Sequence, residues 1–140
     1  MDLRVIENRF RKILNTDRGL DFEYKYENDH IQATCSLTAQ AYQGDIYADF
    51  TVYNDGLVTI SFTFDKIDNT SYTLSKIEEF NENSVWLTAY ITDKGYLKLR
   101  NNIFVASERA AVENVDFIVK HLLSDKIKTY LAPLSQLTHE

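Results

Sequence analysis

The chain has 140 residues, a single cysteine and a formal net charge of −6, with an isoelectric point near 5.0. That length suits one domain able to bury its own core without disulfide or metal; a lone Cys35 excludes an intrachain disulfide and zinc sites built from several cysteines. The acidity counts against a nucleic-acid partner, whose recognition rests on a basic face, and no apolar run approaches the ~20 residues of a membrane span. One proline and four glycines leave no linker-like stretch, so a single domain over 1–140 is expected. Met1-Asp2-Leu3-Arg4 lacks the apolar core of a signal peptide. A cytoplasmic protein with its thiol reduced is the simplest expectation.

In chain order, Leu3, Ile6, Phe10, Ile13 and Leu14 make one apolar stripe, which predicts a helix over residues 2–16 stopped at Gly19. The period then changes to two. Phe22, Tyr24 and Tyr26 form one strand series, and Ile31, Ala33, Cys35 and Leu37 form the next, with a turn at Asn28-Asp29-His30. Cys35 falls on the apolar series and reads as a small buried hydrophobe rather than a catalytic thiol. Residues 39–45 are expected to form a loop. Ile46, Ala48, Phe50 and Val52, then Val58, Ile60, Phe62 and Phe64, flank Asn54-Asp55-Gly56, the strongest hairpin turn in the chain.

The acids of Asp65-Lys66-Ile67-Asp68-Asn69-Thr70-Ser71 do not make a calcium loop. Ile67, Thr70 and Lys76 would fall where that loop needs an oxygen ligand, a glycine and a glutamate. Thr70 or Ser71 is instead expected to cap a helix whose buried stripe is Leu74, Ile77 and Phe80. A second hairpin follows. Val85, Leu87, Ala89 and Ile91 alternate with Trp86, Thr88 and Tyr90; Asp93-Lys94-Gly95 turns the chain; Leu97 and Leu99 alternate with Tyr96, Lys98 and Arg100. Asn101-Asn102 is expected to bulge or break that strand before Ile103-Phe104-Val105. Ser107 then caps a long helix running to about Leu131, before Pro133. The expected class is α+β, an antiparallel sheet packed by helices, in the order helix, four strands, helix, two or three strands, helix.

Chemistry-bearing motifs are absent from the sequence. His30 sits in a turn, His121 on the last helix and His139 in the tail, and Glu78, Glu79 and Glu82 read as a solvated helix face. No serine-nucleophile elbow, phosphate-binding glycine loop or zinc-protease motif occurs. Catalysis, cofactor and metal are therefore not expected. The outward strand series is more suggestive. Trp86, Tyr90 and Tyr96, with Tyr47 and Tyr53 from the earlier hairpin, either form an amphipathic patch of the kind used at interfaces or merely pair across strands.

The stretch Ile77-Glu78-Glu79-Phe80-Asn81-Glu82-Asn83, the Ala89-Tyr90-Ile91 strand and Asp93-Lys94-Gly95-Tyr96-Leu97-Lys98-Leu99, followed by a long helix, resembles the YbjN family. The resemblance covers the second half of the chain and, in the first half, only the order of elements. It implies a fold similar to type III secretion chaperones, ordered α-β-β-β-α-β-β-α, and a bacterial or phage source. In that pattern an asparagine closes the short helix, here expected as a C-cap, and no catalytic residue belongs to it. What it implies in function is a non-enzymatic, chaperone- or adaptor-like protein-binding module, often homodimeric. The alternatives are a small-molecule-binding or enzymatic domain with a pocket between the sheet and the last helix, and a structural subunit that associates with itself.

Overall fold

The computed structural model describes residues 1–39, 42–84 and 86–123, with backbone alone at residues 39 and 42–44. Its class is α+β. Six strands form one sheet in the spatial order β1-β2-β3-β4-β6-β5, and every neighbouring pair is antiparallel. The strands are β1 (Glu23–Tyr26), β2 (His30–Ala39), β3 (Tyr42–Tyr53), β4 (Leu57–Lys66), β5 (Thr88–Ile91) and β6 (Tyr96–Phe104). The helices are α1 (Leu3–Phe10), α2 (Ser71–Asn83) and α3 (Glu108–Leu122).

The first helix does not stay α throughout. After Phe10 it widens into a π-helical segment, Arg11–Asp17. Ile6, Phe10 and Leu14 are the buried residues of this stretch. They are spaced by four, and each such step overshoots an α-turn of 3.6 residues; a wider turn reverses that drift and keeps Leu14 in the core. It also aims Asn15 at β1, where its amide donates to the Phe22 carbonyl at 2.9 Å and its oxygen accepts from the Tyr24 hydroxyl at 2.7 Å. Asp2 caps α1 by accepting from the Arg4 and Val5 amides. Gly19, at φ +68°, lets the chain leave the segment.

Strands β1 to β4 pair each with the next in chain order, as a meander. The expected loop at 39–45 is largely strand: Ala39 ends β2, Tyr42 starts β3, and the two pair across a register shift near Leu37. The rest of that expected loop, residues 40–41, lies outside the described residues. Tyr42-Gln43-Gly44 offers no apolar alternation, so only pairing with β2 defines it as strand.

The connection from β4 through α2 to β5 skips one place, and β6 returns to fill it. Asn101-Asn102 does not break β6; Asn101 pairs with Ile60 and Asn102 with Thr59. Helix α2 is capped by Thr70, whose hydroxyl accepts from the Thr73 amide at 3.2 Å. Its buried residues are Thr73, Ile77 and Phe80. Leu74, expected in that stripe, is 51% exposed. One step round the helix is 100°, so burying Thr73 turns Leu74 outward, and the Thr73 hydroxyl is satisfied by Thr70 at 3.1 Å. Ser107 caps α3 as expected, and α3 ends at Leu122; its expected continuation to Leu131 lies outside the described residues.

The core lies on one side of the sheet. Ile31, Ala33, Cys35 and Leu37 of β2, Ile46, Ala48, Phe50 and Val52 of β3, Val58, Ile60, Phe62 and Phe64 of β4, Ala89, and Leu97 and Leu99 supply its inner rows. They pack with Ile6, Phe10 and Leu14, with Ile77 and Phe80, and with Val115, Val119 and Leu122 of α3. Phe50 stacks on Phe22 at 5.2 Å and meets Phe62 edge-on at 5.7 Å. Arg18 and Asp116, 2.6 Å apart, tie the π segment to α3.

Candidate functional site: the outer face of the sheet

The register fixes which outward residues are neighbours. Crossing from β2 to β5, one row reads Ser36, Tyr47, Thr63, Lys98, Tyr90. The next reads Thr34, Asp49, Ser61, Arg100, Thr88, and the next Gln32, Thr51, Thr59, Asn102. A last row at the far end holds His30 beside Tyr53 and Leu57 beside Phe104, the middle pair joined through the Asn54–Gly56 turn.

The rows differ in chemistry. The central ones are short and polar around Asp49, whose carboxylate accepts from Gln32 at 2.9 Å and Thr51 at 3.3 Å. The end with Tyr47 is aromatic and cationic. Arg100 lies over the Tyr90 ring, 5.3 Å from its centroid, and Lys66 over the Tyr96 ring at 5.4 Å. Lys98 stands between those two pairs on β6, with Tyr96 and Arg100 as its same-side neighbours. The opposite end is apolar: the His30 and Tyr53 rings are 5.1 Å apart, and Phe104 is 74% exposed.

Of the five aromatics singled out in the sequence, Tyr90 and Tyr96 come together around Lys98. Tyr47, 46% exposed, shares the row of Tyr90 but stands three strand spacings away, about 14 Å. Tyr53 is six residues along β3 from Tyr47, about 20 Å, and belongs to the apolar end. Trp86 is not on this face. Strand β5 begins only at Thr88, because side chains take up backbone groups of Trp86 and Leu87. The Leu87 amide donates to the Ser84 hydroxyl at 3.2 Å, and Asn101 donates to the Trp86 carbonyl. The indole therefore packs on α3, stacked 4.8 Å from His121 and edge-on to Phe117 at 5.7 Å.

Sequence reasoning placed Lys98 and Arg100 on the outward series without giving them a role, and passed over Lys66, Leu57 and Phe104. The net charge of −6 hid the three cations. The signal for Lys98 and Arg100 was the outward register of β6, which reads Tyr96, Lys98, Arg100, Asn102, Phe104; Lys66 joins them only through the pairing of β4 with β6.

The edges of the sheet are protected differently from its face. At β5 the Asn81 side chain acts as a further strand. Its amide donates to the Ala89 carbonyl at 3.0 Å and its oxygen accepts from the Ala89 amide at 2.7 Å. The asparagine that caps the helix carbonyls is Asn83, which donates to the Glu79 carbonyl at 2.9 Å. The other edge, β1, is four residues long and carries Glu23 and Lys25, features that discourage edge pairing.

A polar recess of about 300 Å³ opens beside the Trp86 turn, lined by Asn81, Ser84, Thr88, Arg100 and Asn102 among others. Between α3 and the sheet, where a ligand pocket was the alternative expectation, Val115, Val119 and Leu122 are buried. Among the described residues no cluster of three or more His, Cys, Asp or Glu could hold a metal ion, and no helix is long and apolar enough to cross a membrane. Burial raises the Cys35 thiol above its ordinary value, which disfavours the reactive thiolate. No protein-family model and no curated protein matches this chain.

Proposed function

We propose that this domain is a non-enzymatic protein-binding module, chaperone- or adaptor-like, that offers the outer face of its sheet to a partner. One observation carries the reading. The buried apolar side chains of α1, α2 and α3 join a core on the inner side, while the outer face keeps Tyr96 exposed near Tyr90, and Tyr47 and Phe104 exposed elsewhere on it. Exposed aromatics that share one face of a sheet are typical of interface anchors. The resemblance to the YbjN family and its chaperone-like fold supports the same reading, as does the sealing of the β5 edge by Asn81, which leaves the face rather than the edge for contact.

The test is site-specific photo-crosslinking. A benzophenone amino acid is placed at Tyr47 or Tyr90 on the outer face and, separately, at exposed Glu113 on α3. The expected result is one protein species captured from the native lysate through positions 47 and 90 and absent through 113. Capture through 113 alone would move the interface to the helices. Sedimentation equilibrium separates a foreign partner from a second copy: a dimer whose crosslinks join position 90 to position 90 would make the module self-associating.

A further inference from the structure

We propose that the outer side of β6, with the tyrosines beside it, docks an acidic, extended segment of a partner protein; this deepens the protein-binding reading and rests on it. Lys66, Lys98 and Arg100 gather on this one part of an acidic chain. Among the described residues none of the three makes an ion pair with a carboxylate. Two of them are held by rings instead, Arg100 on Tyr90 and Lys66 on Tyr96. A ring fixes the position of a cation without neutralising it.

Spacing defines the occupant. Lys98 and Arg100 are two residues apart on one side of a strand, about 7 Å. An extended peptide repeats its own same-side residues at that distance, so carboxylates at alternate positions meet both cations in register. The tyrosine rings flank the cations with apolar surface that ends in a hydroxyl, suited to aliphatic or aromatic residues beside the acids. Because Asn81 occupies the Ala89 backbone groups, the segment lies across the face and does not extend the sheet.

Charge complementarity favours a short acidic segment over a nucleic acid. The cations are confined to roughly 14 Å of β6. Beyond them the same face presents Asp49, and the chain as a whole carries −6. A long polyanion would run out of the patch into like charge, whereas a segment with two or three carboxylates stays within it.

The probe is a short fluorescein-labelled peptide alternating Glu with Val and Tyr, followed by anisotropy and by amide chemical shifts of the full chain. A peptide with Gln in place of Glu and a DNA duplex serve as comparisons. The Glu peptide is expected to bind, to weaken as salt rises, and to shift amides at 63–66, 88–90 and 96–100. Lys98→Gln/Arg100→Gln is expected to lower its affinity roughly tenfold, with an unchanged melting curve. Lys98→Gln alone, which leaves the Arg100–Tyr90 contact intact, should give a smaller loss in the same direction. Equal binding of the Gln peptide at the same amides would overturn the acidic preference while leaving the protein-binding reading in place. No binding of the Glu peptide, shifts elsewhere, or tighter binding of DNA would overturn the inference outright, and the crosslinking test above would still decide the broader reading.

Discussion

Phe50 touches Phe22 and Phe62 and no solvent; Thr59, outward on the neighbouring strand, sits between Thr51 and Asn102 with its side chain partly in water. The two faces of one sheet thus obey different constraints. On the inner face, shape is dictated by neighbours on every side, including three helices. On the outer face, side chains answer to cross-strand neighbours, and among the described residues the buried apolar side chains of all three helices lie in the core instead. The inner rows are almost uniformly apolar, whereas the outer rows change from cationic and aromatic through polar to apolar along the strands. A face that needs only to be wet has no reason for that banding, and this is why the outer face is the candidate site.

Substitutions on the two faces should separate most widely. Phe50→Ala removes a fully buried ring and leaves a cavity, at a cost of about 3–5 kcal/mol. Thr59→Ala should cost less than about 1 kcal/mol, the range of strand propensity. Urea unfolding at constant m-value measures both. Equal costs would mean that the outer face is as constrained as the core, and the distinction would fail.

The inner face was legible in the sequence because alternation and burial carry the same information: Ile46, Ala48, Phe50 and Val52 can only point one way. The Asn54-Asp55-Gly56 turn and the Thr70 and Ser107 caps were legible because each is a local arrangement of a few residues. The outer site was legible only in part. Alternation assigns Tyr90, Lys98 and Tyr47 to outward series, but whether they adjoin depends on β6 lying between β4 and β5, a long-range fact. Trp86 was misplaced because two side-chain hydrogen bonds, from residues 84 and 101, outweigh the alternation that would have carried β5 back to it. The π segment left no signal beyond the spacing of four among Ile6, Phe10 and Leu14.

Register keeps the faces distinct, since a slip of one residue exchanges them. Gly56 is one of the pins. Its φ is +103°, its carbonyl accepts from the Val105 amide at 2.9 Å, and a Cβ there would sit 2.4 Å from the Val105 oxygen. Gly56→Ala should therefore cost roughly 2 kcal/mol or more. Gly95→Ala, at φ +89° with nothing within 4 Å of the added carbon, should cost only the backbone term of about 1 kcal/mol. Thermal melts of the pair check the difference. Similar losses would show that strain, not the contact with Val105, dominates at residue 56.

Asn81→Ala leaves the Ala89 amide and carbonyl without their partners and opens the β5 edge. The expected loss is about 1–3 kcal/mol, with concentration-dependent association in sedimentation velocity. Destabilisation without association would mean that α2 itself shields the edge.

A pH test concerns the one inner-facing series that carries a polar end. Burial raises the Tyr24 phenol well above its ordinary value of 10.0, and the nearby Arg11 guanidinium only partly opposes this. A group with its folded value raised stabilises the fold fully below the unfolded value and loses that contribution as pH climbs past it. The urea midpoint should thus fall between about pH 9 and pH 11, and fall less in Tyr24→Phe. Cys35, raised by burial in the same sense, adds to the drop, and Cys35→Ala removes its share. A slope unchanged by both substitutions would place the alkaline loss elsewhere.

The smallest expected effect is the most informative about the outer face. Phe104 is 74% exposed at the end of the row shared with His30, Tyr53 and Leu57. A single exposed phenylalanine is unremarkable in any fold; one that closes an apolar row across four strands is harder to attribute to chance. Phe104→Thr keeps strand propensity and should change stability by less than about 0.5 kcal/mol. If so, the fold does not require the ring, which leaves it available as contact surface beside Leu57. A loss above about 1 kcal/mol would instead make the row a cross-strand ladder that stabilises the sheet edge near Val105, and would confine the candidate interface to the cationic end around Lys98.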